Sequence, residues 1–144
     1  MLMRVFLDAN VLLTAAHNPN GKAALVITLG SEGLLQLATS AYAKEEARRN
    51  LESKAPDRLP EFSRQLIKIR RVADNPSIPC PADLAERDWP IYRAAHACKA
   101  TVLLTGDHRD FGSLMNAPEL GDGLLIQPVA DLLAALGGSG MKAS

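Results

Sequence analysis

The stretch "RVFLDANVLLTAAH", residues 4–17, decides how the fold is read. Val5, Phe6 and Leu7 make an apolar run without polar alternation, the pattern of a strand covered on both faces. The run stops at Asp8, and a second apolar run over residues 11–16 continues at helical length until "HNPNG" breaks it. A strand, an acid and a helix therefore follow one another with no linker. In open parallel α/β sheets ligands bind beyond the C-terminal ends of the strands, so a carboxylate at this junction is either a helix cap or part of a site.

The same alternation recurs along the chain. Residues 3–7 and 34–38 read as strands, with an apolar helix over 23–29 between them that Gly30 and Gly33 close. Thr39 and Ser40 are candidate N-caps for "AYAKEEARRNLESK", a strong helix former. The next segment, "PDRLPEFSRQLIKIRRV", places Leu59, Phe62, Leu66 and Ile69 near helical spacing, with Arg64, Lys68 and Arg71 on another face, and predicts a second, basic amphipathic helix. "ADNPSIPCPAD" carries three prolines and reads as a loop. Asp88 then stands as N-cap before "WPIYRAAHACKA", with Pro90 in the first turn and Ile91, Ala94, Ala95 and Cys98 as one apolar stripe. Strands over 100–104 and 123–127, a loop at "TGDHRDFG" and a helix over 129–136 complete the chain. The prediction is an α/β fold, a three-layer α/β/α sandwich on a central parallel sheet, as one domain over residues 1–136 followed by a flexible tail, 137–144.

Composition bounds the function. A chain of 144 residues supports one core, and no apolar run is long enough to cross a bilayer. No secretory signal is legible at the N-terminus, so a cytoplasmic location is expected. Cys80 and Cys98 have neither CxxC spacing nor neighbouring histidines, so neither zinc nor a disulfide framework is expected. Net charge is zero, which argues against a protein that grips nucleic acid over its whole surface, yet residues 44–71 hold nine Lys or Arg against five Asp or Glu.

Each acid has a plain structural reading. Asp8 and Asp88 suit helix caps, Glu45 and Glu46 suit a solvated helix face, and Asp107, His108 and Asp110 fall in a turn-prone stretch. The start of the helix after Asp88 is assigned to the opposite edge of the sheet, so this acid reaches a site only through the irregular loop before it. Together the acids carry more weight, because Asp8 and Asp107 follow separate strands that this topology can set side by side. Two carboxylates at about 4 Å repel by roughly 4 kcal/mol at an effective dielectric of about 20, against about 5 to 15 kcal/mol of net stability for a domain. Gathered acids need protons or a cation, and all-oxygen ligands select Mg²⁺ or Mn²⁺.

With "VFLDANVLL", "TSAYAKEEARRNL", "RDWPIYRAAHACKATVLLTGD", "RDFG" and "LLIQPVADLL" in this order, the chain resembles a PIN domain of the kind found in VapC-type toxins and related ribonucleases, over about residues 3–136. The resemblance implies a metal-dependent endoribonuclease acting on RNA, with Asp8, Glu46, Asp88 and Asp107 as an acidic quartet that binds Mg²⁺ or Mn²⁺. It also implies a further acid at Asp110, and Asn10 and Thr105 as polar residues that orient the acids. Glu46 is preferred to Glu45 because Tyr42, Glu46 and Asn50 share one face. Gly106 fits a tight approach to the site. Arg64, Lys68, Arg71 and Arg109 are candidate RNA contacts, and His108 is the histidine to test among His17, His96 and His108. A toxin implies a cognate antitoxin protein, and similar proteins form homodimers; no membrane partner is expected.

Three other readings compete. A receiver domain needs a phosphoacceptor after its third strand and a lysine after its last, and "LLIQPV" has no lysine. A phosphatase with an Asp-x-Asp pair lacks its second acid, since the position is Asn10. A PIN-fold module that binds RNA or protein without turnover has the same sequence signature.

Overall fold

Val5, Phe6 and Leu7 are wholly buried at the centre of the sheet in β1 (Arg4–Leu7), and α1 (Ala9–His17) begins directly after Asp8. The structure, a computed structural model, describes residues 2–143 and, for side chains, residues 2–137. After α2 (Lys22–Ser31) the chain forms β2 (Gln36–Ser40), α3 (Ala41–Lys54), α4 (Leu59–Leu66) and β3 (Arg70–Val72). A 3-10 turn, Glu86–Asp88, leads into α5 (Trp89–Ala97), then β4 (Val102–Leu104), the short α6 (His108–Phe111), β5 (Leu125–Gln127) and α7 (Val129–Ala143).

The five strands among the described residues are all parallel, in the order β3-β2-β1-β4-β5. The chain moves outward from β1 through β2 to β3, then crosses back to β4. Right-handed crossovers therefore put the connections of the first three strands on one face and α5 on the other. α1 packs against α2, α3 and α4, while α5 packs on β2 and β4. This is the expected three-layer parallel α/β architecture. A receiver has the order 2-1-3-4-5, so that reading is overturned.

Several local expectations need correction. The predicted second helix ends at Leu66, and its last residues form β3, the edge strand. Ile67, 74% exposed, and Ile69, buried, both lie in the turn between α4 and β3. Arg64, Lys68 and Arg71 consequently do not share a helix face: Arg64 lies on α4 and is paired with Glu61, Lys68 lies in the turn, and Arg71 lies in β3. Thr39 belongs to β2, where its hydroxyl donates to Leu7 O at 2.8 Å; Ser40 is the cap, its Oγ accepting from Ala43 N at 3.1 Å. "TGDHRDFG" contains α6 rather than a plain loop. α7 runs past residue 136 into the segment assigned to a tail, whose last residue, Ser144, lies outside the described residues.

Asp88 does not cap α5. It closes the 3-10 turn with helical dihedrals, φ −99° and ψ −3°, whereas a capping residue is extended, so its carboxylate turns away from the helix N–H groups. Its placement at the opposite edge is also corrected. A helix that feeds a parallel strand runs against that strand, so α5 starts at the C-terminal edge, beside the ends of β1 and β4.

Candidate functional site

The order of strands reverses between β1 and β4, and this switch point is where an open parallel sheet offers a crevice. Asp8 leaves β1 there, and Thr105, Gly106 and Asp107 leave β4. Asp8 is buried, its Oδ1 accepting from Ala9 N at 2.6 Å and its Oδ2 from the Thr105 hydroxyl at 2.8 Å. Asn10 completes the junction: its Nδ2 lies 3.4 Å from Asp8 Oδ2 and 3.2 Å from Thr105 Oγ1, and its Oδ1 accepts from Gly106 N at 2.7 Å. Thr105, with no exposed surface, also accepts from Asp107 N at 3.0 Å. One hydroxyl thus ties the end of β4 to the end of β1. A Cβ at Gly106 would meet Asn10 Oδ1 at 3.4 Å, an ordinary contact, so the approach there is looser than its sequence context implies.

Asp107 caps α6, its Oδ1 accepting from Asp110 N at 2.9 Å. One carboxylate oxygen from each of Asp88, Asp107 and Asp110 lies within 4.8 Å of the others. Asp8 and Glu46 are outside that trio but share its field: the charges of Glu46 and Asp107 act on Asp8, and those of Asp8 and Asp107 act on Asp88. Glu46, Asp88 and Asp107 line a cleft of about 780 Å³ with Tyr42, Arg49 and Arg87. Glu45 lines it too, but its carboxylate is held by Arg48, with Arg49 3.6 Å away.

The electrostatics follow from crowding. Burial, chiefly, raises the pKa of Asp8 to about 6; hydrogen bonds from Thr105 and Ala9 oppose it, and Glu46 and Asp107 add to it. Asp88 rises to about 7, first through desolvation and then through its contact with Asp110 and the charges of Asp110, Asp8 and Asp107. Asp110 moves the other way, lowered by the same contact with Asp88 and by Arg87. Asp88 Oδ2 is buried and has no hydrogen-bond partner among the described residues. An orphaned acceptor of this kind, beside the carboxylates of Asp107 and Asp110 and 3.9 Å from Arg87 Nε, fits a hard divalent cation such as Mg²⁺ or Mn²⁺.

Two solved structures share this architecture. VapBC2 from Rickettsia felis bound to a DNA fragment from their promoter matches with a TM-score of 0.60 at 12% identity, over 88% of this chain and 98% of that one. VapBC-1 from nontypeable Haemophilus influenzae matches with a TM-score of 0.56 at 15% identity, over 89% of this chain and 99% of that one. The VapC component of such complexes is a PIN domain. The chain has a PIN-like fold. No protein-family profile and no curated protein matches its sequence.

Within this PIN-like fold the acids named from sequence come to one edge, and Glu46 rather than Glu45 has its charge free to act on Asp8. Arg109 and His108 lie exposed on α6, while His96 bonds Gly121 O at 2.9 Å and belongs to the packing of α5. Arg87 was not legible as a site residue: nothing in the sequence marks it beyond its place beside Asp88. Tyr42 shared the face of Glu46, and its hydroxyl donates to Arg87 O at 3.0 Å, pinning α3 to the turn that carries Asp88.

Proposed function

We propose that this PIN-like chain is a metal-dependent endoribonuclease, a VapC-like toxin of a toxin–antitoxin pair, acting in the cytoplasm through one domain over residues 1–136. The observation that carries the reading is the convergence of Asp88, Asp107 and Asp110 within 4.8 Å at the β1/β4 switch point, with Asp8 fixed beside them. Asp8, Glu46, Asp88, Asp107 and Asp110 would hold Mg²⁺ or Mn²⁺, and Asn10 and Thr105 would orient Asp8 by the hydrogen bonds described. Such a cation, when bound, supplies Lewis-acid stabilisation of phosphodiester charge and a more acidic water. The chain's own contribution is a rigid placement of carboxylates at strand ends, where looseness of about 0.5 Å already matters.

The partners in this reading are an RNA substrate and a cognate antitoxin protein, supported by the fact that both similar structures are VapBC complexes; a homodimer is part of the same proposal. Purified protein is expected to cut single-stranded RNA in Mg²⁺ or Mn²⁺ and to stop when the metal is chelated. Asp8→Asn and Asp107→Asn are each expected to abolish cleavage while keeping the circular dichroism spectrum. Retained cleavage by either folded variant contradicts the assignment.

A further inference from the structure

The chain has three Phe, two Tyr and one Trp. Phe6, Phe62, Phe111 and Tyr92 are buried in the core, and Trp89 is half-buried with its Nε1 donating to Leu84 O at 2.9 Å. Among the described residues Tyr42 alone of these six is exposed, at 44%, and it stands on the wall of the acidic cleft. Its ring is held there by two fixed points. Ser40 caps the first turn of α3 through Ala43 N, and the phenol hydroxyl donates to Arg87 O at 3.0 Å. Glu46 lies one helical turn further along the same face, about 5–6 Å away between Cβ atoms. The charges of Glu46, Asp88 and Asp8 all act on the phenol, so the ring borders the gathered acids.

Apart from Ala41 and Tyr42, the cleft is lined by charged residues alone. An aromatic anchor of a protein interface sits in a well-packed, desolvated pocket, whereas this ring has charged neighbours in an open cleft. A nucleotide matches that mixture: its base offers an apolar π-face, and its backbone is anionic. Arg49, exposed on the same wall, acts on the phenol and is available to a phosphate beside it. A base and its own phosphate are separated by one ribose, so a nucleotide with its phosphate at the carboxylates has its base about one helical turn away, at Tyr42.

We infer that Tyr42 stacks on one unpaired base of the RNA, that of a nucleotide flanking the scissile phosphate, and so sets where along the strand the cut falls. This rests on the nuclease reading, because only a substrate seated at the carboxylates has a base within reach of the ring. Stacking tolerates every base identity. What it selects is unpaired RNA, since a base in a duplex has both faces covered by its neighbours and a splayed base does not.

The test uses the full chain and two RNA probes. The first is a single-stranded oligo(5-iodouridylate) irradiated with the protein in Ca²⁺, an oxygen-ligated cation of looser geometry than Mg²⁺, with the photo-adduct mapped by mass spectrometry of peptides. The adduct is expected on Tyr42. The second is a short RNA cut in Mn²⁺, in which the nucleotide on either side of the cleavage point is made abasic in turn. Tyr42→Ala is expected to raise KM about tenfold with kcat little changed, the order that one base–aromatic stack supplies. Tyr42→Phe keeps the ring and loses the bond to Arg87 O; it should recover most of that loss, whereas a role limited to pinning the turn of Asp88 makes Phe as poor as Ala. One of the two abasic RNAs should cost wild type about the same tenfold and cost Tyr42→Ala nothing further. Additive losses, or an unchanged KM in Tyr42→Ala with the adduct elsewhere, overturn the inference while cleavage leaves the nuclease reading intact. An adduct on Tyr42 without any cleavage supports Tyr42 as a base-stacking residue and sinks the nuclease reading. Unchanged RNA kinetics, together with a self-association of wild type that Tyr42→Ala abolishes in sedimentation, overturns the inference in favour of a contact between copies of the chain.

Discussion

Arg87 lies on Asp110, its Nε donating to Oδ2 at 2.6 Å and its Nη2 paired with the same oxygen, while Asp88 Oδ2 is 3.9 Å from its Nε. One guanidinium therefore already supplies a positive charge to the acidic trio. It competes with a divalent cation both by occupying a ligand atom and by repulsion across a few ångströms. Arg87→Gln is expected to bind Mn²⁺ about tenfold more tightly than wild type, an order-of-magnitude figure for removing one like charge at an effective dielectric of about 20. Arg87→Lys, which keeps the charge, should stay near wild type. Isothermal titration calorimetry checks this; unchanged or weaker binding by Arg87→Gln contradicts it.

The raised pKa of Asp8 makes stability depend on pH with a defined sign. Its folded value of about 6 exceeds the ordinary 3.8, so the folded state binds the proton more tightly than the unfolded chain does. The stabilisation from Asp8 is fully present below about pH 3.8 and is lost as pH rises through about 6. Two units amount to about 3 kcal/mol. In EDTA, the stability of wild type relative to Asp8→Asn should fall by about this much between pH 4 and pH 7, measured by urea unfolding. Parallel profiles would refute the buried, desolvated state of this carboxylate.

Thr105 offers a separate handle on the same acid. Its hydroxyl donates to Asp8 and accepts from Asp107 N; in Thr105→Val Asp107 N loses this partner, and Asp8 Oδ2 keeps only Asn10 Nδ2 at 3.4 Å. A buried polar group without its partner costs about 1–3 kcal/mol, so this variant should lose about that much stability and bind Mn²⁺ less tightly, whereas Thr105→Ser restores both. Rescue by serine is the outcome that a purely steric role for the methyl group would not produce.

The choice between adjacent glutamates is testable in the same assay. Glu45 is engaged by Arg48, and Glu46 acts on Asp8. Glu46→Gln should weaken Mn²⁺ binding about tenfold and reduce cleavage with it, while Glu45→Gln leaves both near wild type. The reverse pattern would exchange their roles.

How much of this was legible follows from what each residue obeys. The central strands β1 and β4 are read from runs such as Val5–Phe6–Leu7 because burial on both faces leaves no alternative composition. α3 begins and ends where its capping serine and helix-forming composition say. β3 was missed because residues 59–69 happen to satisfy a helical stripe, and an edge strand of three residues carries charges that mimic a solvated helix face. Asp88 was read as a cap because the residues around it fit one; only the 3-10 turn before it, a matter of backbone dihedrals, turns its carboxylate into the cleft. The ion pair of Arg87 with Asp110 spans 23 positions and has no local signature.

The claim on which the account turns is that these carboxylates share a divalent cation. A crystal soaked in Mn²⁺ and measured at the manganese absorption edge tests it most directly. The account predicts an anomalous peak bounded by carboxylate oxygens of Asp88 and Asp107, with Asp8, Glu46 and Asp110 around it. A fully soaked crystal with no peak in that cleft, or with manganese bound only elsewhere on the surface, would contradict it.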